Sequence, residues 1–259
     1  MTGVQTCALP ISTETGRLVA LAILAGAFIA FGAIFSTVAL AGAASSVPWG
    51  VARVLAGVVF SVGLVLVVVG GAELFTGNTL IVMAWASGRV GTRALLRNWA
   101  IVYAGNFAGA LAVAIAAVGA GVAEAGGGAV GTAAVTIAAA KLRLGFGQAI
   151  LLGVLCNVLV CLAVWLAYSA RSTTDRVLAV VPPIAAFVAA GFEHSVANMY
   201  FVPFALLAAP GGTLTWSGFL VGNLLPVTIG NIIGGAGLVG GVYWFIYLRK
   251  APPAGPGPR

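Results

Sequence analysis

Hydrophobic positions along this chain form long blocks instead of alternating stripes. Six apolar segments, residues 18–44, 51–87, 99–122, 146–169, 177–209 and 216–248, each reach the ~20 residues that a helix needs to cross hydrocarbon. Two blocks are broken by polar side chains, the second near Glu73 to Asn78 and the fifth near Gly191 to Ser195. The pattern predicts an all-α membrane protein with six transmembrane helices, of which helices 2 and 5 are interrupted. Ionisable groups at bilayer depth are expensive and mark functional positions by default. The fifth block holds His194, the single histidine of the chain, beside Glu193, one of five acidic residues.

The breaks repeat. Gly71-Ala72-Glu73-Leu74-Phe75-Thr76-Gly77-Asn78 and Gly191-Phe192-Glu193-His194-Ser195-Val196-Ala197-Asn198 share Gly, Glu and Asn at equal spacing, 120 positions apart. In the third block Asn98, Gly105, Asn106 and Gly109 match Asn223, Gly230, Asn231 and Gly234 of the sixth at an offset of 125. Blocks 1–3 and 4–6 therefore read as duplicates. Three crossings per half turn the second copy over, which gives an inverted 3+3 repeat with its interrupted helices meeting near the midplane, a common place for a transport site. The free N–H groups and partial positive charge of half-helix N-termini favour an anion or a polar acid there.

Composition agrees with this picture and narrows it. The chain is 61% hydrophobic and 7% charged, against about 25% charged in an average soluble domain. Its three cysteines, Cys7, Cys156 and Cys161, form neither a disulfide framework nor a metal-ligand spacing, and no cofactor is expected. Of twelve basic residues, Arg17, Arg89, Arg93, Arg97, Arg171, Arg176, Arg249, Lys250 and Arg259 share one side, leaving Arg53, Lys141 and Arg143 on the other. Basic residues collect on the cytoplasmic side, so both termini are expected there, in the cell's inner membrane. The net charge of +7 thus reports orientation and not a nucleic-acid partner. Residues 1–16 lack the Gly/Ala/Val texture of the transmembrane blocks and the order of a signal peptide; they read as a disordered leader, foreign to the rest. Residues 17–250 read as the transmembrane domain, and the Pro/Gly-rich residues 251–259 as a disordered tail. The small-residue stretch 119–144 is expected to pack on the outer face and deliver Lys141 and Arg143 to it.

Glu73-Leu74-Phe75-Thr76-Gly77-Asn78, Asn98-Trp99 with Gly105-Asn106, Cys156-Asn157, Gly191 to Met199, and Asn223-Leu224-Leu225-Pro226-Val227-Thr228 together resemble the formate/nitrite transporter family. The resemblance spans residues 18–250. It implies an aquaporin-like fold, one pore per protomer, a homopentamer in the lipid bilayer, and a channel or transporter with no enzymatic step. By position it makes His194 the central pore histidine and Thr76 its polar partner, in the loop that breaks the second helix. Leu64 and Leu74 fall at one constriction, with Phe75 in the same pore-lining loop, and Phe187 at the other. Lys141 falls where the family places a basic residue that draws anions into the outer vestibule, and Asn157 and Asn231 near the pore.

Plainer roles stand beside these. Glu193, like Glu73, reads as a cap for a broken helix or a partner for nearby backbone; Thr76 and Ser195 read as N-caps. Lys141 also reads as an interfacial anchor with a snorkelling stem, and Asn106 and Asn231 as interhelical hydrogen-bonding residues. Glu193-His194-Ser195 is no catalytic triad, because adjacent residues cannot face one another in those roles. A water- or glycerol-like channel is the alternative function. It lacks the Asn-Pro-Ala pair of aquaporins, since Asn78 and Asn198 are followed by Thr79 and Met199. The expected cargo is a small monovalent anion, formate first, nitrite next and hydrosulfide a minor option, moving with protons as the neutral acid. Burying a bare carboxylate costs tens of kcal/mol by Born arguments, whereas protonating an acid of pKa ~3.7 at pH 7 costs about 4 kcal/mol.

Overall fold

A computed structural model of the chain describes residues 9–43 and 46–249. The tail and residues 1–8 of the expected leader lie outside the described residues. The end of that leader is ordered instead: Leu9–Ser12 form a 3₁₀ turn and the first helix starts at Thr15. Ile11 packs on the small cluster around Val90 and Leu95, and the Arg97 guanidinium donates to Thr15 Oγ1.

Six helices span the membrane by length and composition: α1 (Thr15–Leu40), α2 (Trp49–Gly70), α4 (Thr92–Gly119), α6 (Phe146–Ser169), α7 (Thr173–Ala190) and α9 (Gly218–Leu248). Three shorter apolar helices join them, α3 (Phe75–Ala86), α5 (Ala129–Leu142) and α8 (Ser195–Ala208). Helix α3 continues α2 and helix α8 continues α7, each after a break. Both breaks open on a left-handed glycine, Gly71 at φ 73° and Gly191 at φ 78°. A side chain at those angles would be strained, so glycine ends the helix at the lowest cost. The N–H groups of Ala72 and Phe192 reach back to the carbonyls of Val67 and Phe187, closing the helix ends as Schellman turns do. The start of α7 follows its sequence too, Ser172 and Asp175 forming a reciprocal capping box.

An opened helix in hydrocarbon leaves backbone groups that must find protein partners. Both halves use the same solution. Glu73 N–H donates to Leu21 O on α1, and Glu193 N–H to Leu152 O on α6. Asn106 on α4 accepts from Phe75 N–H at 2.9 Å and donates to Ala22 O and Glu73 O. Asn231 on α9 accepts from Ser195 N–H at 2.9 Å and donates to Gly153 O and Glu193 O. The interhelical role expected of these two asparagines is what they perform, and their partners are the breaks themselves.

Close helix crossings bring the asparagines within reach. Gly105 and Gly109 on α4 lie against the α1 backbone at Ala22 and Ile23, and Gly230 and Gly234 on α9 against the α6 backbone at Ile150 and Val154. A Cβ at any of the four would overlap its neighbour. Membrane helices associate through such packing because lipid supplies no hydrophobic drive between them.

Replacing Asn106 with Ala strands one buried N–H and two carbonyls. At about 1–3 kcal/mol per unsatisfied group, partly relieved by relaxation, the Asn106→Ala protein should lose about 2–4 kcal/mol. Its detergent-solubilised form should melt several degrees lower; an unchanged midpoint would show that the break has other support.

Candidate translocation site

His194 is the residue before α8, and its ring caps that helix. Nδ1 accepts from Ala197 N–H at 3.0 Å. The N-cap role expected of Ser195 thus belongs to the histidine, whose extended backbone turns the ring back over the first turn of α8. An accepting Nδ1 carries a lone pair, so the neutral ring bears its proton on Nε2. That nitrogen lies 3.0 Å from Thr76 Oγ1, and Nε2–H donates to it. The bond ties the two breaks together. Thr76 sits in the first turn of α3, not in the loop; its neighbour Leu74 is the cap position and gives no side-chain cap. The Thr76 carbonyl accepts from Thr79 Oγ1–H at 2.6 Å and from Asn157 Nδ2 at 3.3 Å. Asn157 also donates to Asn231 O at 2.6 Å, so it links α6, α3 and α9 without touching the imidazole.

Apolar side chains close the surroundings. Phe187 stacks on the His194 ring at 5.8 Å between centroids and meets Phe60 edge-on. Phe60 in turn stacks on Phe201 at 6.3 Å. Leu64, Leu74 and Phe75 are buried, with Phe75 wedged edge-on against Tyr103 and Trp99. Trp99 Nε1 donates to Asn78 O, which fixes that wall to the break.

The glutamates do not cap. Asn106 and Asn231 have taken the backbone of both breaks, and this leaves the carboxylates for side chains. Glu193 Oε1 receives Lys141 Nζ at 2.8 Å, both side chains nearly desolvated at 5% and 14% exposed. Its Oε2 accepts from Asn198 and Asn223. In the first half Glu73 Oε2 accepts from Asn78 Nδ2 at 2.7 Å, and Asn78 also donates to Asn98. The Glu-Asn-Asn cluster is therefore duplicated and the lysine is not. Lys141 is in the last turn of α5 with its ammonium 5.4 Å from the centre of the Phe201 ring. It is a buried ion-pair partner, not a snorkelling anchor, while Arg143 stays exposed.

A cavity of about 950 Å³ runs from the small-residue rim at Gly127 and Thr132 down to Phe60, Phe187 and His194. Lys141, Glu193 and Arg53 are its charged walls. Leu64, Leu74, Phe75, Thr76, Asn157 and Asn231 take no part in that lining. The cavity can gather a small polar solute, dehydrate it between aromatic rings, and bring it down to the His194 ring. Phe60 and Arg53 were not singled out in the sequence. Phe60 was legible as the residue four before Leu64 on one helix face; Arg53 counted only toward orientation.

A sequence profile described as formate/nitrite transporter matches residues 2–245. The formate channel FocA of Escherichia coli strain K12 is 44% identical over 246 residues, covering 89% of this chain and 86% of its own. A probable formate transporter of Methanothermobacter thermautotrophicus is 41% identical over 250 residues, covering 91% and 90%. Among solved structures, a pentameric formate channel with formate bound superposes with a TM-score of 0.85 at 43% identity, over 91% of this chain and 98% of that one. An ion channel of the same family gives a TM-score of 0.83 at 27% identity, over 93% and 97%. Together with the paired helix breaks and the Thr76–His194 bond, these matches show that the chain belongs to the formate/nitrite transporter family.

Proposed function

We propose that this protein conducts formate across the inner membrane as formic acid, received by the Thr76 hydroxyl that His194 orients. Nitrite is the next candidate cargo. The halves lie inverted in the membrane with both termini cytoplasmic, and five protomers assemble, each with its own pore. The observation that carries the reading is the Thr76–His194 hydrogen bond at 3.0 Å, made by the ring that floors a cavity whose last side chains are aromatic. The formate channels among its relatives supply the substrate.

The chemistry follows from the donor set. Formate entering between Phe60 and Phe187 loses water, and its charge becomes costly to carry further. The net positive charge of the cavity wall holds the anion at the mouth of the constriction. Just beneath the floor, the Thr76 hydroxyl accepts from Nε2–H and keeps its own hydrogen for a carboxylate oxygen. Because Nδ1 is engaged by Ala197 N–H, the imidazole gains a second proton only by giving up the helix cap, at a cost of about 0.5–2 kcal/mol. The neutral ring therefore polarises the anion through Thr76 while a proton arrives with it from the cavity. A ring that releases the cap can act as a relay. Once neutral, the acid passes Leu64, Leu74 and Phe75, where a charge would be stranded.

Formate uptake into proteoliposomes should quicken when the outside is made more acid than the lumen. His194→Phe should change that pH dependence or the substrate class while the pentamer still elutes intact. Proton coupling identical to the unmodified protein would sink the histidine's part in the mechanism. Glycerol-driven swelling of the same vesicles, with no formate flux, would favour the neutral-solute alternative. Thr76→Val keeps the shape but removes the hydroxyl, and should slow formate flux about tenfold, the order expected when a buried donor loses its partner; flux within twofold of the original would remove Thr76 from the pathway.

A further inference from the structure

The cavity above His194 has two cations and one carboxylate on its walls. Lys141 is in contact with that carboxylate at 2.8 Å, both groups largely desolvated, so the pair presents close to zero net charge to an approaching anion. Arg53 is differently placed. Among the described residues no carboxylate lies within ion-pair distance of it. Its Nε and Nη2 donate to the carbonyls of Ala189 and Val188, at the C-terminal end of α7, which carries the partial negative charge of the helix dipole but no formal charge. Its guanidinium carbon lies 6.0 Å from the centre of the Trp49 ring. Two nitrogens are thus occupied by backbone and one face by an aromatic ring, which fixes the fork and leaves Nη1 with no acceptor among the described residues.

We propose that Arg53 is the anion-binding residue of the outer cavity, holding a small monovalent carboxylate or its isosteres, and that Lys141 serves chiefly to neutralise Glu193. The assignment rests on the transport reading for its physiological ligand. Its physical content is separate: the net positive charge of the cavity wall resides on Arg53. Bonds to uncharged carbonyls orient a guanidinium without cancelling its formal charge; Glu193 acts on Arg53 only from beyond ion-pair distance, whereas it is in direct contact with Lys141 and cancels the lysine's charge. A planar fork with one free edge also suits a carboxylate better than a point charge does. The same side chain holds the last turn of α7, two residues before the break at Gly191. Anion capture and the shape of the His194 loop therefore share one residue.

The purified pentamer in phosphatidylcholine vesicles, whose neutral surface adds no salt effect of its own, separates these roles. Salt from about 0.01 M to about 1 M shortens the Debye length from about 30 Å to about 3 Å. Over that range the half-saturating formate concentration of the unmodified protein should rise about fivefold, as for a partly exposed charge pair. Arg53→Gln should start about fivefold higher at low salt and stay flat. Arg53→Lys should keep the salt dependence, and so should the double variant Lys141→Met/Glu193→Gln, from which a neutral pair has been removed. An Arg53→Gln protein with the original salt dependence overturns the proposal. So does an Arg53→Lys protein as flat as Arg53→Gln, because capping alone then explains the residue. A flat response from the double variant returns the role to Lys141.

A second measurement needs no transport. In detergent, iodide should quench the Trp49 fluorescence, read as the difference from Trp49→Phe, and formate should relieve the quenching except in Arg53→Gln. Relief without formate flux in the unmodified protein would remove the transport reading and leave the site standing. No relief at all overturns the site.

Discussion

A helix opened inside hydrocarbon exposes donors and acceptors that lipid cannot satisfy, and everything else in this protein is arranged around meeting that demand twice. Asn106 and Asn231 do it with a single amide each. Both are fully buried, and each accepts from the first amide of the helix beyond its break while donating to one carbonyl within the break and one on a neighbouring helix. An amide is suited to this work because it donates and accepts without carrying charge. The cost of leaving those groups unpaired, several kcal/mol each in hydrocarbon, is what keeps the breaks open in one conformation.

The close glycine crossings follow from the same demand. A short asparagine side chain reaches a neighbouring helix's backbone only when the axes are close, and Gly105, Gly109, Gly230 and Gly234 allow that approach. With the backbone satisfied by asparagine, the glutamates are released from capping and form side-chain clusters with Asn78 and Asn198. Function then enters through the asymmetry between two similar halves. The first half presents a hydroxyl, Thr76, where the second has Val196, and the second an imidazole, His194, where the first has Leu74; the bond between the two joins the halves just beneath the cavity. Only the second half adds a lysine to its Glu-Asn-Asn cluster.

The cavity's electrostatics show why proximity and charge must be separated. Lys141 and Arg53 are both basic and both on the wall. One faces a carboxylate and the other two carbonyls. The field a solute meets depends on those partners, not on the number of cations.

Much of this was written in the chain. Six long apolar blocks dictate six helices because no other open structure satisfies its backbone in lipid. Segment 146–169 matches its helix to the residue and most others lie within four positions, while the third helix starts at Thr92, seven before the expected 99. The repeated Gly-Glu-Asn and Asn-Gly-Asn spacings located both breaks, since left-handed glycine and buried amide are local requirements that a sequence displays. What could not be read was which partner each polar group chooses. That Glu193 meets Lys141 instead of capping, and that Arg53 binds the carbonyls of α7, depend on groups 52 and 136 positions apart being brought together; the histidine cap of α8 is local, but sequence alone did not choose His194 over Ser195. Hydrophobic pattern fixes where the chain crosses the membrane, but hydrogen-bond partners are a competition decided by distance, and only the packed helices set the distances.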